Sequence, residues 1–378
     1  MRAECPVAKV RLPMDVTGWF VTRHADVREL LADSRLSRPP VDGWPLDDDL
    51  AARPGGPQLI TMMELEGPRH RALRAAVAEP FSVRSVRRLR SSMRQWADQL
   101  LDDFAANGQP GDLVTGFAEP FPLLVVCELV GIPYEDRHDF LGPADEALGA
   151  MLSQDRRQTV ATWLREYLGN LLERKREVPG DDVLTALLRC CDSDELDEQG
   201  ALDEEDVIAF GLSMLVAGYR TSTMFLANMV HTLLTRPVEF ELLRRHRDGL
   251  SRAVEEMLRF LPVMNAPVVL LANEDIRLHD RTIPAGDAVV PAIASANRDE
   301  GVFPDAAELH LGRESTPHLA FGHGAHNCFG AHLARAELEI ALDAVLDRFP
   351  QLRLVEGAQL EWDDTSPAKS PGRLPVNW

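Results

Sequence analysis

The sequence feature that most constrains the fold is a long apolar segment in the middle of the chain, residues 207–234. An acidic run at 203–206 precedes it, and acidic residues in a first turn complement the helix dipole. Apolar residues lie on all sides of the segment, which predicts a helix that is buried on most faces. Such a helix is roughly 40 Å long. The rest of the chain must therefore fold around a helix that crosses a whole domain.

Helical patterns also occur over residues 82–104, 181–190 and about 330–349. Pro350 ends the last of these helices because proline cannot continue one. Residues 266–295 change to a β-rich pattern with a turn at 284–286. The sequence therefore predicts a mainly α fold with a small β portion, and a single domain over residues 1–378, because no linker divides it.

Charge and composition exclude several classes of protein. The 378 residues contain 40 Lys and Arg against 60 Asp and Glu, a net charge of −20, which argues against binding to nucleic acid or to an anionic membrane. No segment has the roughly 20 apolar residues that span a bilayer, and residues 1–6 lack a signal-peptide core. Five cysteines without regular spacing are not a disulfide framework. These features predict a protein of the reducing cytoplasm.

The strongest chemical signal is the segment 321–330, which reads FGHGAHNCFG. Two glycines before Cys328 let the backbone turn tightly and approach a bulky partner. Cys328 lies just ahead of an amphipathic helix, whose free amides and positive end would stabilise a thiolate metal ligand. A buried, inert cysteine is one alternative. Zinc is another, because His323, His326 and His332 surround Cys328, although a usual zinc module spreads its ligands more widely.

This segment resembles the haem-thiolate loop of the cytochrome P-450 family, Phe-x-x-Gly-x-His/Arg-x-Cys-x-Gly. The positions that match are Phe321, Gly324, His326, Cys328 and Gly330. The resemblance implies haem b (heme b, iron protoporphyrin IX) with Cys328 as the axial ligand, and a thiolate ligand favours O–O cleavage. It also implies that His326 meets a haem propionate, that Phe321 packs beside the sulfur, and that Gly322 and Gly330 line the cofactor.

Two distant segments support the resemblance. Glu256 and Arg259 fit the family's Glu-x-x-Arg pair, which implies a structural ion pair near the haem; a surface pair is the alternative. His70 and Arg74 share a helical face, as in the helix that the family presents to a haem propionate, although they could also lie on a solvated face. A further propionate-binding arginine is often found where this chain has Leu270. Haem anchoring is therefore expected to depend on His70, Arg74 and His326.

The long helix contains the family's oxygen-binding motif in altered form. The resemblance implies that Ala217 and Gly218 let the helix deform and admit dioxygen, and that the Thr221 hydroxyl bonds the bound oxygen. The acid that usually precedes the threonine relays protons, but this chain has Arg220, which stays charged and cannot. Arg220 either points away and pairs with a carboxylate or faces the distal pocket. Thr221 and Ser222 can organise water in either case.

The predicted substrate pocket takes its apolar walls from three segments. Its residues are Ile60, Met62 and Met63, then Met214 and Leu215 with Ala217, and finally Val263, Met264 and Asn265. Each of these could also be ordinary core. A local excess of basic residues predicts a docking face for an acidic redox partner. Its residues are Arg69, Arg71, Arg74, Arg84, Arg87, Arg88, Arg90 and Arg94, against one acid, Glu79.

The resemblance implies a soluble bacterial monooxygenase with its haem between the long distal helix and the cysteine-bearing proximal helix. It implies oxidation of a small organic molecule, by hydroxylation or oxidative coupling, in secondary metabolism. The chain has no flavin or iron–sulfur segment, so electrons from NAD(P)H are expected through a ferredoxin and a ferredoxin reductase. The alternatives are a non-catalytic haem-binding sensor or carrier, and a zinc hydrolase.

Overall fold

We analysed a computed structural model of the chain. The residues that the structure describes are 2–11, 17–38, 62–63, 65–148, 154–192, 202–261, 263, 268–314, 316–362 and 369–378. Three residues of the predicted pocket, Ile60, Met264 and Asn265, lie outside the described residues.

Helices dominate the fold, as the sequence predicts. In chain order they are α1 (His24–Ala32), α2 (Gly67–Ala76), α3 (Val83–Ala106), α4 (Pro120–Val130), α5 (Arg137–Leu148), α6 (Gln154–Glu177), α7 (Val183–Cys191), α8 (Glu204–Ser213), α9 (Arg220–Leu234), α10 (Pro237–Arg245), α11 (Leu250–Phe260), α12 (Ile293–Ala296) and α13 (Ala331–Arg348). The predicted helices at 82–104, 181–190 and 330–349 correspond to α3, α7 and α13. The first two begin at side-chain caps, because Ser82 and Asp182 accept backbone N–H bonds of 3.2 and 2.9 Å.

The long apolar segment does not form one uninterrupted α-helix. Helix α8 begins at a capping box in which Asp203 and Asp206 each accept a backbone N–H from the other. A π-type turn over Met214–Gly218 then separates α8 from α9. The prediction of a continuous helix is therefore wrong at this turn. A π-turn inserts an additional residue into the helix, a feature that often marks functional sites.

The β portion is small, as predicted. Its strands are β1 (Val7–Arg11), β2 (Thr17–Val21), β3 (Leu36–Ser37), β4 (Gly111–Asp112), β5 (Leu270–Ala272), β6 (Ile276–Leu278), β7 (Arg281–Ile283), β8 (Ala288–Pro291), β9 (Arg353–Leu354) and β10 (Pro375–Asn377). The largest sheet has the order β1-β2-β8-β5-β3, and a second sheet has the order β4-β10-β9. Strands β6 and β7 form a hairpin.

Helix α13 packs against several other helices. It contacts α3 most extensively, then α9 and α11, and its buried residues include Leu338 and Leu342. Arg94 of α3 ties the two helices together through carboxylate contacts of 2.7 Å to Asp343 and 3.0 Å to Asp347. The cysteine loop, which leads directly into α13, is therefore attached to a rigid part of the core.

Across the described part of the chain, none of the helices has the length and apolar character needed to cross a membrane.

Candidate active site

The loop before α13 is bent by glycines. Gly322 and Gly324 have φ angles of +70° and +75°, a region that favours glycine. A Cβ on Gly324 would lie 2.2 Å from the carbonyl oxygen of Leu31, so the loop packs directly against the backbone of α1. The backbone N–H of Cys328 donates to the carbonyl of Phe321 over 2.8 Å, which closes the loop. These contacts hold the cysteine in one place.

Cys328 is surrounded by groups that suit a thiolate ligand. Burial raises the pKa of its thiol, but the backbone N–H of Gly330 and the positive charges of Arg74 and Arg335 act in the opposite direction. The N-terminus of α13, which begins at Ala331, adds its partial positive charge. All five cysteines are free; Cys328 is exposed as a residue although protein atoms surround its sulfur, and the other four are buried or half-buried. Cys328 is thus the cysteine best placed to bind a metal.

Phe321 lies in a charged setting that the sequence analysis missed. The Arg335 guanidinium lies 4.5 Å from the centre of the Phe321 ring, a cation–π distance. Glu255 accepts bonds of 2.6 and 3.1 Å from Arg335, and its carboxylate lies 3.2 Å from Nε2 of His318. Burial opposes ionisation of Glu255, but His318 and Arg335 lower its pKa to about 2. The spacing of residues along one helix could not predict these contacts, because Glu255, Arg335 and the pair His318 and Phe321 lie on three different segments.

The structure brings together the two histidines predicted to anchor the cofactor. The rings of His70 and His326 stack with centroids 4.2 Å apart. Burial, together with the positive charges of His326 and Arg74, lowers the pKa of His70 to about 4. Nε2 of His326 lies 3.2 Å from Glu66. Imidazole N–H groups are suitable donors to a carboxylate.

Arg74 lies beside the same loop. Its guanidinium donates to the carbonyl and side-chain oxygens of Asn327 over 2.8 and 2.7 Å, one residue before the cysteine. The site therefore combines a thiol with imidazole and guanidinium donors. This donor set fits haem b, which needs one axial thiolate and partners for two carboxylates.

A zinc site receives no support from the residues that the structure covers. They contain no group of three or more His, Cys, Asp or Glu side chains that could hold a metal ion. His323 faces a surface depression beside His24 and Arg28 of α1, and His332 is exposed. The histidines near Cys328 in sequence thus do not converge on its sulfur.

Glu256 and Arg259 form a fully buried ion pair with an N–O distance of 2.7 Å. Arg313 adds a second guanidinium at 2.9 Å from Glu256. Arg259 also donates to the backbone carbonyls of Asn297 and Ala306, both at 2.9 Å. The pair therefore joins α11 to the segment before the cysteine loop, and the surface alternative does not apply.

The residues of the oxygen-binding motif occupy the π-turn and the start of α9. Thr221 donates its hydroxyl to the carbonyl of Ala217 over 3.1 Å, across the turn that contains Gly218. Arg220 contacts Glu119 with an N–O distance of 3.1 Å, and both side chains are 27% exposed. The carboxylate partner that the sequence left open is therefore Glu119, directly before α4.

Ser222 has a partner that the sequence analysis did not consider. Its hydroxyl donates to Oε2 of Glu337 over 2.6 Å, linking α9 to α13. Glu337 is buried, and its burial raises its pKa to about 8 although the Ser222 bond acts against this. Glu337 is therefore a neutral carboxylic acid near pH 7, close to the motif that lacks its usual acid.

The described pocket candidates lie in different surroundings. Met214 and Leu215 are buried in the main core. Met62 is buried and donates its backbone N–H to Ser213 over 2.9 Å, whereas Met63 is exposed. Val263 is buried in a small separate cluster with Met224.

A glycine-bent cysteine loop, flanked by donors for carboxylates and leading into a buried proximal helix, defines a haem-thiolate protein. Comparison with known proteins gives the family. The cytochrome P-450 family model matches residues 136–359. The chain belongs to the cytochrome P-450 family, and it is a haem-thiolate monooxygenase that oxidises a small organic molecule.

Curated relatives and solved structures match over the whole chain. Nocardicin C N-oxygenase of Nocardia uniformis subsp. tsuyamanensis is 39% identical, with 100% of this chain and 94% of the relative covered. Mycinamicin IV hydroxylase/epoxidase of Micromonospora griseorubida is 37% identical, with 99% and 92% covered. The crystal structure of the LnmA cytochrome P-450 hydroxylase from the leinamycin pathway of Streptomyces atroolivaceus is 39% identical with a TM-score of 0.88, covering 100% and 94%. These matches support the predicted fold.

Proposed function

We propose that this enzyme inserts one oxygen atom from dioxygen into a drug-sized intermediate of bacterial secondary metabolism. The observation that carries the proposal is the convergence of His70, Arg74 and His326 on the loop that holds Cys328. The relatives named above hydroxylate, epoxidise or N-oxygenate such molecules, which supports the substrate class. The reaction consumes one dioxygen, two electrons and two protons, and yields the oxygenated product and water.

Cys328 would hold the haem iron, while His70, Arg74 and His326 would bind its carboxylates. The haem supplies the oxidising chemistry when bound. The Gly330 amide and the nearby guanidinium groups act against the rise that burial causes in the pKa of Cys328, so they would favour its thiolate once the iron is bound, and the Arg335 guanidinium packs against the Phe321 ring. In this proposal the loop binds the haem iron through Cys328, and the residues around the loop hold it in position.

On the distal side, Gly218 would let the helix deform at the π-turn and admit dioxygen, and Thr221 and Ser222, just after the turn, would organise water. The Thr221 hydroxyl can accept a bond from water while it donates to Ala217 across this turn. We assign Arg220 to the same turn, where it orients water or an anionic group of the substrate. Its contact with Glu119 holds its guanidinium beside α4.

The pocket would be lined by Met62 and Met63, by Met214 and Leu215 with Ala217, and by Val263. Met62 is tied to the end of α8, next to the π-turn, which supports a place above the haem. Methionine side chains adapt to irregular ligands.

Electrons from NAD(P)H would arrive through a ferredoxin and its reductase. Fewer arginines are available to a partner than the basic residues of this region would suggest, because Arg69, Arg90 and Arg94 form ion pairs with carboxylates. Among the described residues, the exposed arginines of this region that form no ion pair are Arg71, Arg84 and Arg87. We call these three the proximal basic surface, and an acidic ferredoxin would dock there.

Two further points belong to the proposal. The chain would act in the cytoplasm, because its five cysteines are free thiols. Residues 1–378 would form one domain, because strands from both ends of the chain pair with strands from its interior, β2 with β8 and β10 with β4.

The test is a turnover assay with haem-loaded protein, a surrogate ferredoxin and reductase, NADPH and a panel of secondary metabolites under ¹⁸O₂. We expect one ¹⁸O atom in a product of at least one compound, and no product with Cys328→Ala. Haem-loaded protein that is reduced by its partners and binds panel members, but gives no oxygenated product, would contradict the proposal and favour the sensor or carrier.

A further inference from the structure

The starting point is the absence of a basic side chain at position 270. Leu270 is 7% exposed and belongs to the apolar cluster of the large sheet, so it offers nothing to an anion. His70, with a pKa of about 4, is neutral near pH 7 and contributes a hydrogen bond without a charge. A second guanidinium beside Arg74 would therefore strengthen the binding of the two haem carboxylates.

The strand register places a guanidinium next to this position. Strand β3 pairs antiparallel with β5, with Leu36 opposite Ala272 and Ser37 opposite Leu271. Arg38 follows Ser37 and Leu270 precedes Leu271, so this register, continued one residue beyond its last pair, would set Arg38 opposite Leu270. Side chains directly opposite in an antiparallel pair lie on the same face, with Cβ atoms about 5 Å apart. The side chain of Arg38 would therefore start close to the side chain of residue 270, on the same face of the sheet.

Arg38 is connected to the stacked histidines, His70 and His326, through a shared contact with Glu66 and through its positive charge. Its backbone N–H donates to Oε1 of Glu66 over 2.8 Å, and the same oxygen lies 3.2 Å from Nε2 of His326. The positive charge of Arg38 also contributes to the lowered pKa of His70, after burial, His326 and Arg74. Its Nε atom is buried, so part of the guanidinium lies within the protein.

We propose that Arg38 is a haem-anchoring residue, which binds a haem carboxylate from the position directly after strand β3, in place of a basic residue at position 270. The proposal rests on the haem site described above. A guanidinium binds a carboxylate through charge-assisted, often paired hydrogen bonds, which an imidazole without charge cannot replace. Arg38 and Arg74 would then supply two guanidinium groups, and His70 and His326 would supply additional imidazole donors.

The test compares Arg38→Leu with the exchange variant Arg38→Leu/Leu270→Arg. The measurements are the rate of haem transfer to an apoprotein scavenger and the ferric/ferrous midpoint potential, neither of which requires turnover. We expect Arg38→Leu to lose haem roughly ten- to a hundredfold faster, the effect of one charge-assisted bond. Its midpoint potential should fall, because a positive charge near the iron is lost. The exchange variant should recover most of the haem retention.

Arg35→Leu is the matched control, since Arg35 lies on the same segment but is bound to Asp33 at 2.6 Å. It should lose haem at the wild-type rate. Should Arg38→Leu fail to fold, Arg38→Lys and Arg38→Gln replace it, and only the lysine should retain haem. The proposal would be overturned if Arg38→Leu lost haem no faster than Arg35→Leu. It would also be overturned if Arg38→Lys and Arg38→Gln lost haem equally fast, or if Leu270→Arg did not slow the loss in the exchange variant. A wild-type protein that binds no haem would instead contradict the haem site itself.

Discussion

Ser222 on the distal helix and Glu337 on the proximal helix are joined by a hydrogen bond of 2.6 Å inside the core. The bond connects α9 and α13, the two helices between which the haem is expected. Since the Glu337 carboxyl is neutral near pH 7, the core holds a proton at Oε1 or Oε2 of a residue adjacent to the oxygen-binding motif.

Glu337 should make the stability of the protein depend on pH. Its pKa rises from about 4.5 in the unfolded chain to about 8 in the folded protein. Protonation therefore stabilises the fold fully below pH 4.5, and this contribution is lost as the pH rises to 8, at about 1.4 kcal/mol per pH unit. We expect Glu337→Gln to be more stable than the wild type at pH 8 and similar to it near pH 5. The measurement is the melting temperature between pH 5 and pH 8.5.

Glu339→Gln provides the comparison for that experiment. Glu339 lies on the same helix, but its side chain is 20% exposed and pairs with Arg90. This variant should keep the wild-type pH profile. Parallel profiles for Glu337→Gln and the wild type would show that Glu337 is ionised in the folded protein.

Cys328 should determine the spectrum of the protein. In Cys328→His, the reduced carbon-monoxide complex should move from the thiolate position towards that of histidine-ligated haem, and Cys328→Ala should lose the thiolate band. Cys5→Ser, at a half-buried cysteine near the N-terminus, should keep the wild-type band. An unchanged band in either Cys328 variant would rule this residue out as the ligand.

Arg220 should affect substrate binding as well as the packing of α9. Arg220→Glu places two carboxylates where the structure has an ion pair with Glu119, and adds repulsion towards an anionic group in the pocket. We expect substrate affinity to fall by roughly a hundredfold. The measurements are the substrate dissociation constant and the ratio of product to NADPH consumed.

The exchange variant Glu119→Arg/Arg220→Glu separates the two effects. It restores an ion pair at the start of α9 but leaves no guanidinium at position 220. If Arg220 orients substrate or water, the exchange variant should regain the stability of the wild type, but its substrate affinity and its ratio of product to NADPH consumed should stay low. Recovery of all three would mean that Arg220 serves only the ion pair.

The proximal basic surface should control electron transfer. Arg84→Gln/Arg87→Gln should slow reduction by an acidic ferredoxin by about tenfold at low salt and weaken the salt dependence. Substrate binding should not change. Arg353→Gln is the control, because Arg353 lies in the β4-β10-β9 sheet, which packs against the far end of α3 through Trp378 and Phe104. Stopped-flow rates that do not depend on salt in the wild type would contradict a charged docking surface.

The parts of the site that were predictable from the sequence are those whose residues are neighbours in the chain. The cysteine loop and the pairs Glu256–Arg259 and His70–Arg74 each occupy one short segment, so spacing alone places them together. The hydrophobic pattern alone did not predict the π-turn at Met214–Gly218, because its apolar residues fit a regular helix equally well; only the family resemblance implied a deformation at Ala217 and Gly218.

Contacts between distant segments were also beyond the sequence. Ser222 and Glu337 are separated by 115 positions, and each looks unremarkable on its own helix. The neighbourhood of Arg38 and Leu270 depends on a strand register, which forms only when the sheet has assembled. Long-range partners of this kind require the three-dimensional packing.

The order of the large sheet has a consequence for biosynthesis. Strand β2 pairs in parallel with β8, which begins at Ala288, so the N-terminal strands leave the ribosome long before their central partner exists. The β1–β2 hairpin alone is too small to be stable in water. The chain emerging from the ribosome must therefore keep an unpaired strand edge free of aggregation until most of the protein has been made. The enzyme's yield in a foreign host should consequently depend on translation rate and chaperone supply as well as on haem.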